Sequence, residues 1–225
     1  MNDCSDERIL QSWTRNARSW ISAIENGEIE SRLRVTNGAI LDAVLKKSPA
    51  TVLDVGCGEG WLLRALSVEG IDCLGVDAIA EFEAYSGHRG GRFKLVPYEA
   101  LSYERLQERF DVVVCNFSLL GKESVERIFQ HALSLLNTGG SFIVQTIHPR
   151  MVSNKDDYID GWRQGTWAGF HSRFTDPAPW YFRTIESWRA LFAGEGFSTL
   201  EVVEPVNPDT GEPVSIVFSA RSGGE

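Results

Sequence analysis

"VLDVGCGEGW", residues 52–61, is an apolar strand that runs directly into a loop with glycine at every second position. Such a loop lets backbone approach a ligand, because glycine carries no Cβ and reaches left-handed φ without strain. Outward from this stretch, strands and helices alternate. "EGWLLRALSVEG" has helical spacing and ends on glycine, "CLGVDA" is a strand, and a short helix is expected over 79–85. "RFKLVP" is a strand, "YEALSYERLQER" a helix, "DVVVCNF" a strand, 122–136 a helix and "GSFIVQTIH" a fifth strand. Near-continuous β-branched runs between amphipathic helices mean an α/β fold whose parallel sheet is covered on both faces.

Upstream, residues 6–26 place Ile9, Leu10, Trp13, Trp20, Ile21 and Ile24 at helical spacings, with Gly27 as a stop. A second helix is expected over 37–47, with Thr36 or Asn37 as its N-cap and Pro49 beyond its end. The alternation breaks at Pro149. Residues 150–184 are rich in aromatics without clear periodicity and read as an insert of loop and short helix. A helix over 185–194 follows, then "FSTLEVVEP", the turn-rich "NPDTGEP" and "VSIVFSAR", which make an antiparallel hairpin. The whole chain reads as a single domain: an N-terminal helical cap (1–48), a core (49–149), the insert (150–184) and a C-terminal helix with its strand pair (185–225).

Composition narrows the function. The 225 residues are 43% hydrophobic and 24% charged, which argues for a globular core and against disorder. Lys and Arg total 22 against 31 Asp and Glu, a formal charge of −9. That sign disfavours nucleic-acid partners, whose affinity comes largely from phosphate neutralisation. The start is acidic without an apolar core segment, and no apolar run approaches a membrane helix, so a membrane partner is not expected. Cys4, Cys57, Cys73 and Cys115 show no CxxC pairing, which suits a reduced, cytoplasmic chain.

The ligand of the glycine loop follows from charge. A phosphate-binding GxxxxGK[ST] loop needs a lysine that does not follow these glycines. A dinucleotide site wants GxGxxG, and Trp61 stands where the third glycine belongs. Asp54 and Glu59 flank the loop and would repel a pyrophosphate, yet would attract an ammonium. S-adenosylmethionine carries an ammonium and a sulfonium and no phosphate. Asp77, ending the next strand 21 positions after Gly56, can accept both hydroxyls of a ribose.

"VLDVGCGEGWLLRAL", "CLGVDAI", "FDVVVCNFSLL" and "LLNTGGSFIVQTIHP" together resemble four successive motifs of class I S-adenosylmethionine-dependent methyltransferases of the small-molecule type. The resemblance spans roughly residues 50–149 and extends more loosely over "TIESWRALFAGEGFSTLEVVEP". It implies a Rossmann-like, doubly wound, seven-stranded, mostly parallel sheet with a C-terminal antiparallel hairpin. It implies that Asp54, Gly56, Cys57 and Gly58 line the methionine end of the cofactor and that Asp77 holds the ribose. Ala78 or Ile79 would lie against the adenine, with Tyr98 and Glu99 offered after the third strand. Asn116 and Phe117 would sit beside the sulfonium and the methyl acceptor. "NFSL" lacks the prolines of the [DN]PP[YF] motif of enzymes that methylate nucleic-acid bases.

Other residues have a bland reading beside the functional one. Glu59 suits the first turn of a helix on its own account, and Trp61 reads as packing. Trp13 and Trp20 share one helical face as core residues, or belong to a helix that closes over the cofactor. "IESRLR" at 29–34 could put Arg32 or Arg34 near the cofactor carboxylate, although a solvated arginine is the expectation for each. His148 follows the fifth strand at the edge where open α/β sheets bind ligands, and is the candidate catalytic base. His88 and His131 read as surface residues, His171 as part of the insert, and the histidines show no metal spacing. In the insert, Trp180, Tyr181 and Arg183 are the candidates for substrate contact. The reading is methyl transfer from S-adenosylmethionine to a small-molecule O, N or C acceptor. An NAD(P)-dependent oxidoreductase and a non-catalytic cofactor-binding partner subunit are the alternatives.

Overall fold

The computed structural model describes residues 4–87, 89, 91–170 and 173–223. Its main sheet contains β1 (Thr51–Val55), β2 (Asp72–Asp77), β3 (Arg92–Leu95), β4 (Phe110–Asn116), β5 (Leu136–Ile147), β8 (Thr199–Val203) and β9 (Ser215–Arg221), in the order β3-β2-β1-β4-β5-β9-β8. The first five strands are parallel, and β9 runs antiparallel between β5 and β8. This matches the expected seven-stranded sheet with its terminal hairpin. The insert region carries the short 3₁₀ turns Pro149–Met151 and Lys155–Asp157, in keeping with the loop and short helix expected, and also a separate two-stranded sheet that joins β6 (Gly161–Arg163) to β7 (Trp180–Phe182). Strand order reverses between β1 and β4, and an open α/β sheet has its crevice at the carboxyl ends there.

Alternation along the strands divides the core into two layers. Val52, Val112, Val114, Ile143 and Val217 face α2 (Asn37–Leu45) and α3 (Trp61–Val68). Leu53, Val113, Cys115, Phe142 and Phe218 face α6 (Glu123–Ala132) and α7 (Ile185–Gly194). The second layer is held by phenylalanines: the Phe192 ring lies 4.8 Å from Phe129, 5.6 Å from Phe142 and 5.7 Å from Phe218. α1 (Asp6–Glu25) and α4 (Ala80–Gly87) form a smaller cluster through Ala17, Ile79 and Phe82. No described helix is long and apolar enough to cross a membrane.

Two local readings are corrected. The expected helix over "YEALSYERLQER" is a 3₁₀ turn at Tyr98–Ala100 and a single turn, α5 (Tyr103–Leu106). Leu101 enters the core, and Ser102 Oγ caps a fresh turn by accepting from Arg105 N at 3.3 Å, so one continuous helix cannot form. Thr36 and Asn37 cap nothing either. A π-helical turn, Arg32–Thr36, runs straight into α2 with Thr36 already in helical backbone. Such turns are rare and concentrate at functional sites.

Truncation of Phe192, which is buried under four other phenylalanines, should cost about 3–5 kcal/mol. Urea denaturation of Phe192→Ala would show this as a lower midpoint at unchanged slope. The same change at half-buried Phe197 should cost clearly less, and equal losses would contradict the layered core.

Candidate functional site

β1 ends at Val55, and the chain turns through Gly56, Gly58 and Gly60 at φ +72°, +56° and +79°. The amides of Gly56 and Cys57 both donate to Val76 O, at 2.8 and 3.1 Å, which pins the loop to the end of β2. A Cβ on Gly56 would overlap the Tyr98 hydroxyl and the Ser118 side chain, so this position combines left-handed backbone with absent space. Ser118 Oγ donates to Val55 O at 2.7 Å and ties the loop after β4 to the same place. Neighbouring Phe117 is left-handed at φ +54°, an uncommon state for a bulky residue and one that gathers at ligand sites.

Three carboxylates are buried around this turn. Asp54 is 2% exposed, and its Oδ1 has no hydrogen-bond partner among the described residues. Burial, then the charges of Glu59 and Asp77, push its carboxyl well above the usual range. Glu59 is also buried; its Oε2 accepts from Trp20 Nε1 at 3.1 Å, while Oε1 lies 3.9 Å from Arg64 without a hydrogen bond. Asp77 accepts from Gly58 N at 2.9 Å and Ile79 N at 3.0 Å. Burial still raises its carboxyl, against the pull of those amides. Besides Arg64, a second cation, Arg32, is buried with its guanidinium 5.5 and 5.1 Å from the centroids of the Trp20 and Trp61 rings. It is not the solvated arginine expected; Arg34 is partly exposed and pairs with Glu30 and Asp209. Trp20 belongs to more than a core, since its indole reaches the glycine loop from α1.

The remaining predicted residues fall into two groups. Ala78 and Ile79 follow Asp77 directly, with Ile79 packed beneath Trp13 and Trp20. Tyr98 donates its hydroxyl to Ser118 O at 3.1 Å, whereas Glu99 is exposed. Asn116 ends β4 in register with Gln145 of β5, and its Oδ1 is buried without a hydrogen-bond partner among the described residues. His148 is buried after β5; Nε2 lies 3.2 Å from Glu204 Oε1, and Nδ1 has no hydrogen-bond partner among the described residues. These groups share the carboxyl edge of the sheet.

Trp180 and Tyr181 lie on β7 instead, and Arg183 directly follows it. The Arg183 guanidinium donates to the carbonyls of Gly121 and Lys122 at 2.8 and 3.1 Å and packs over the Tyr181 and Trp188 rings. Tyr181 and Arg183 border a cavity of about 290 Å³ with Glu126, Asp160 and Ser187, which shares no residue with the glycine loop. Sequence reading missed Ser118 and Glu204, whose roles depend on strand neighbours far away in the chain. His131 is exposed, and His88 and His171 lie outside the described residues. Among the described residues no group of three or more His, Cys, Asp or Glu could hold a metal ion.

A family model described as a methyltransferase domain matches residues 29–202. The chain is 29% identical over 103 residues to the ubiquinone biosynthesis O-methyltransferase of Pseudomonas fluorescens, covering 43% of this chain and 44% of that protein. Against the enzyme of the same name from Rickettsia felis it is 25% identical over 154 residues, covering 64% and 62%. It thus spans less than two thirds of either relative. Among solved structures, the DhpI–SAM–HEP complex is similar with a TM-score of 0.65 at 17% identity, over 98% of this chain and 99% of that one.

The unpartnered Asp54 has a stability signature. A carboxyl whose folded pKa lies above its unfolded value of about 3.9 keeps a proton that the unfolded chain releases, so folding stability falls as pH rises through the interval between the two values. Asp54→Asn should therefore match wild type near pH 4 and gain about 1–3 kcal/mol on it by pH 7. Thermal melts across that range test this; a variant no more stable than wild type at pH 7 would remove the argument for a strained acid.

Proposed function

The chain belongs to the methyltransferase domain family, and we propose that it transfers the methyl of S-adenosylmethionine to a small-molecule oxygen, nitrogen or carbon in the cytoplasm. One observation carries the reading: the Asp54 carboxyl is buried beside the glycine loop with an oxygen that has no hydrogen-bond partner among the described residues. A buried carboxylate without a partner is costly, and an ammonium would relieve it. A pyrophosphate would add charge to a site that already holds Asp54, Glu59 and Asp77, which weighs against the nicotinamide alternative.

The donor set fits the cofactor along its length. Asp54, Gly56, Cys57 and Gly58 would take the amino-acid end, with Arg32 as the buried cation for its carboxylate. Asp77 has lone pairs beyond its two backbone bonds and would take the ribose hydroxyls. Ala78 and Ile79 would face the adenine, beside Tyr98 and Glu99. When bound, S-adenosylmethionine supplies an activated methyl on a sulfonium. The protein then has to orient the acceptor in line and exclude water, and Asn116 and Phe117 at the strained end of β4 are the residues for that task.

An oxygen acceptor is the first choice. The curated relatives are named as O-methyltransferases, and His148 is built like a base: Glu204 holds one ring nitrogen while the other has no hydrogen-bond partner among the described residues. The insert, with Trp180, Tyr181 and Arg183 at its base, would wall the acceptor side. Neither nucleic acid nor membrane has a place in this reading.

Isothermal titration with S-adenosylmethionine and S-adenosylhomocysteine is the direct test. Wild type should bind both, and Asp77→Ala should lose about 10- to 100-fold in affinity, as removal of a charged hydrogen-bond acceptor implies. Binding of NAD(P)H with no response to either adenosyl compound would sink the proposal.

A further inference from the structure

Val52 on β1, Val114 on β4 and Ile143 on β5 face α2 and α3, and the residue two positions further along each strand points to the same face. Those residues are Asp54, Asn116 and Gln145, and all three are polar. Asp54 Oδ1, Asn116 Oδ1 and Gln145 Oε1 are each buried without a hydrogen-bond partner among the described residues. Asn116 and Gln145 stand side by side as Cα partners, and Asp54 lies one step back, opposite Val114. The apolar layer under α2 is thus bordered at the carboxyl edge by oxygens in want of donors. The cofactor's ammonium accounts for Asp54, and the two amide oxygens are left.

Gln145 is 1% exposed, and its amide is fixed from one end: Nε2 donates to Ser215 Oγ at 2.9 Å, on β9, where Ser215 is itself fully buried. Its backbone carbonyl accepts from Phe117 N at 2.8 Å, which joins it to the left-handed residue after β4. A buried amide oxygen without a donor costs free energy that an apolar side chain of the same size would not. The edge beside it is open, because Asn116 is half-buried and Ile147, two residues beyond Gln145, is exposed.

We propose that Gln145, with Asn116 beside it, selects a methyl acceptor that carries two neighbouring hydrogen-bond donors, O–H or N–H. The proposal rests on the methyltransferase reading. An amide oxygen only accepts, and adjacent strands lie about 4.8 Å apart, so donors on the same or neighbouring atoms of one small molecule suit the pair. A compound that offers only lone pairs would leave both oxygens unpaired, and an anion would also face Asp54, Glu59 and Asp77. Ser215 is a positioning residue, since holding Nε2 decides which end of the amide is presented. Methylation removes one donor, so the product pairs with one oxygen fewer than the substrate and is the weaker ligand.

Benzene-1,2-diol, 2-methoxyphenol and 1,2-dimethoxybenzene vary the number of donors on one ring, and benzene-1,2-diamine supplies N–H in place of O–H. Each is titrated calorimetrically into the full chain saturated with S-adenosylhomocysteine. The diol or the diamine should bind at least tenfold more tightly than the dimethyl ether, with 2-methoxyphenol between diol and ether, and the tighter of the two names the donor atom. Gln145→Met should cut that preference about tenfold while leaving affinity for S-adenosylhomocysteine and for the dimethyl ether unchanged. Ser215→Ala should cut it severalfold, and it becomes the deciding variant if Gln145→Met no longer binds S-adenosylhomocysteine. Equal binding, or none, across the four compounds overturns the proposal, as does a preference for the dimethyl ether. A preference that neither substitution moves also overturns it, because a merely structural Gln145 would change the melting temperature alone. Failure of wild type to bind S-adenosylhomocysteine would instead defeat the methyltransferase reading itself.

Discussion

Keeping Asp54 out of water is the constraint on which the rest of the molecule depends. Strand β1 places it at the centre of the sheet, where order reverses and two carboxyl ends diverge. The loop that follows must then fold tightly enough to seal it, which requires the left-handed glycines and the anchor on Val76. The seal brings Glu59 and Asp77 to the same spot and raises the electrostatic cost. Phe117, Ser118 and Tyr98 close the β4 side, and α1 closes the top. Each of these features is expensive or unusual alone, and together they suit the cation site proposed above.

Much of the fold was legible because it rests on periodicity and local chemistry. β-branched runs and glycine stops placed six of the seven main-sheet strands close to their observed bounds, and Ile185–Gly194 is the helix expected there. The misreadings have a common cause. Between residues 98 and 109 the helical pattern was present, but burial of Leu101 and the cap at Ser102 outweighed propensity. In the insert, β6 and β7 are three residues each and pair across the loop between them, too short for a periodic signal.

The site was legible in its acids and obscure in its partners. Asp54 and Asp77 stand in a recognisable order around the glycines, whereas Glu204 reaches His148 from 56 residues away and Trp20 reaches Glu59 from 39. Such contacts are made by topology. Arg32 shows the limit in another form: its charge argued for solvent, yet it is buried with its guanidinium against two indole rings. Arg183 likewise has the composition of a ligand contact but is committed to the carbonyls of Gly121 and Lys122.

The contact between α1 and the insert has a consequence in time. Asn16 accepts a hydrogen bond from Thr175 N across 159 residues, so α1 gains this partner only after five strands of the main sheet have been synthesised. Loop closure over that distance comes late in folding, because local contacts form first. Until then Trp13 and Trp20 have no aromatic cover from the insert, and the nascent chain presents them to its surroundings. The candidate site is thus completed late, by joining α1 to a segment 159 residues further along the chain.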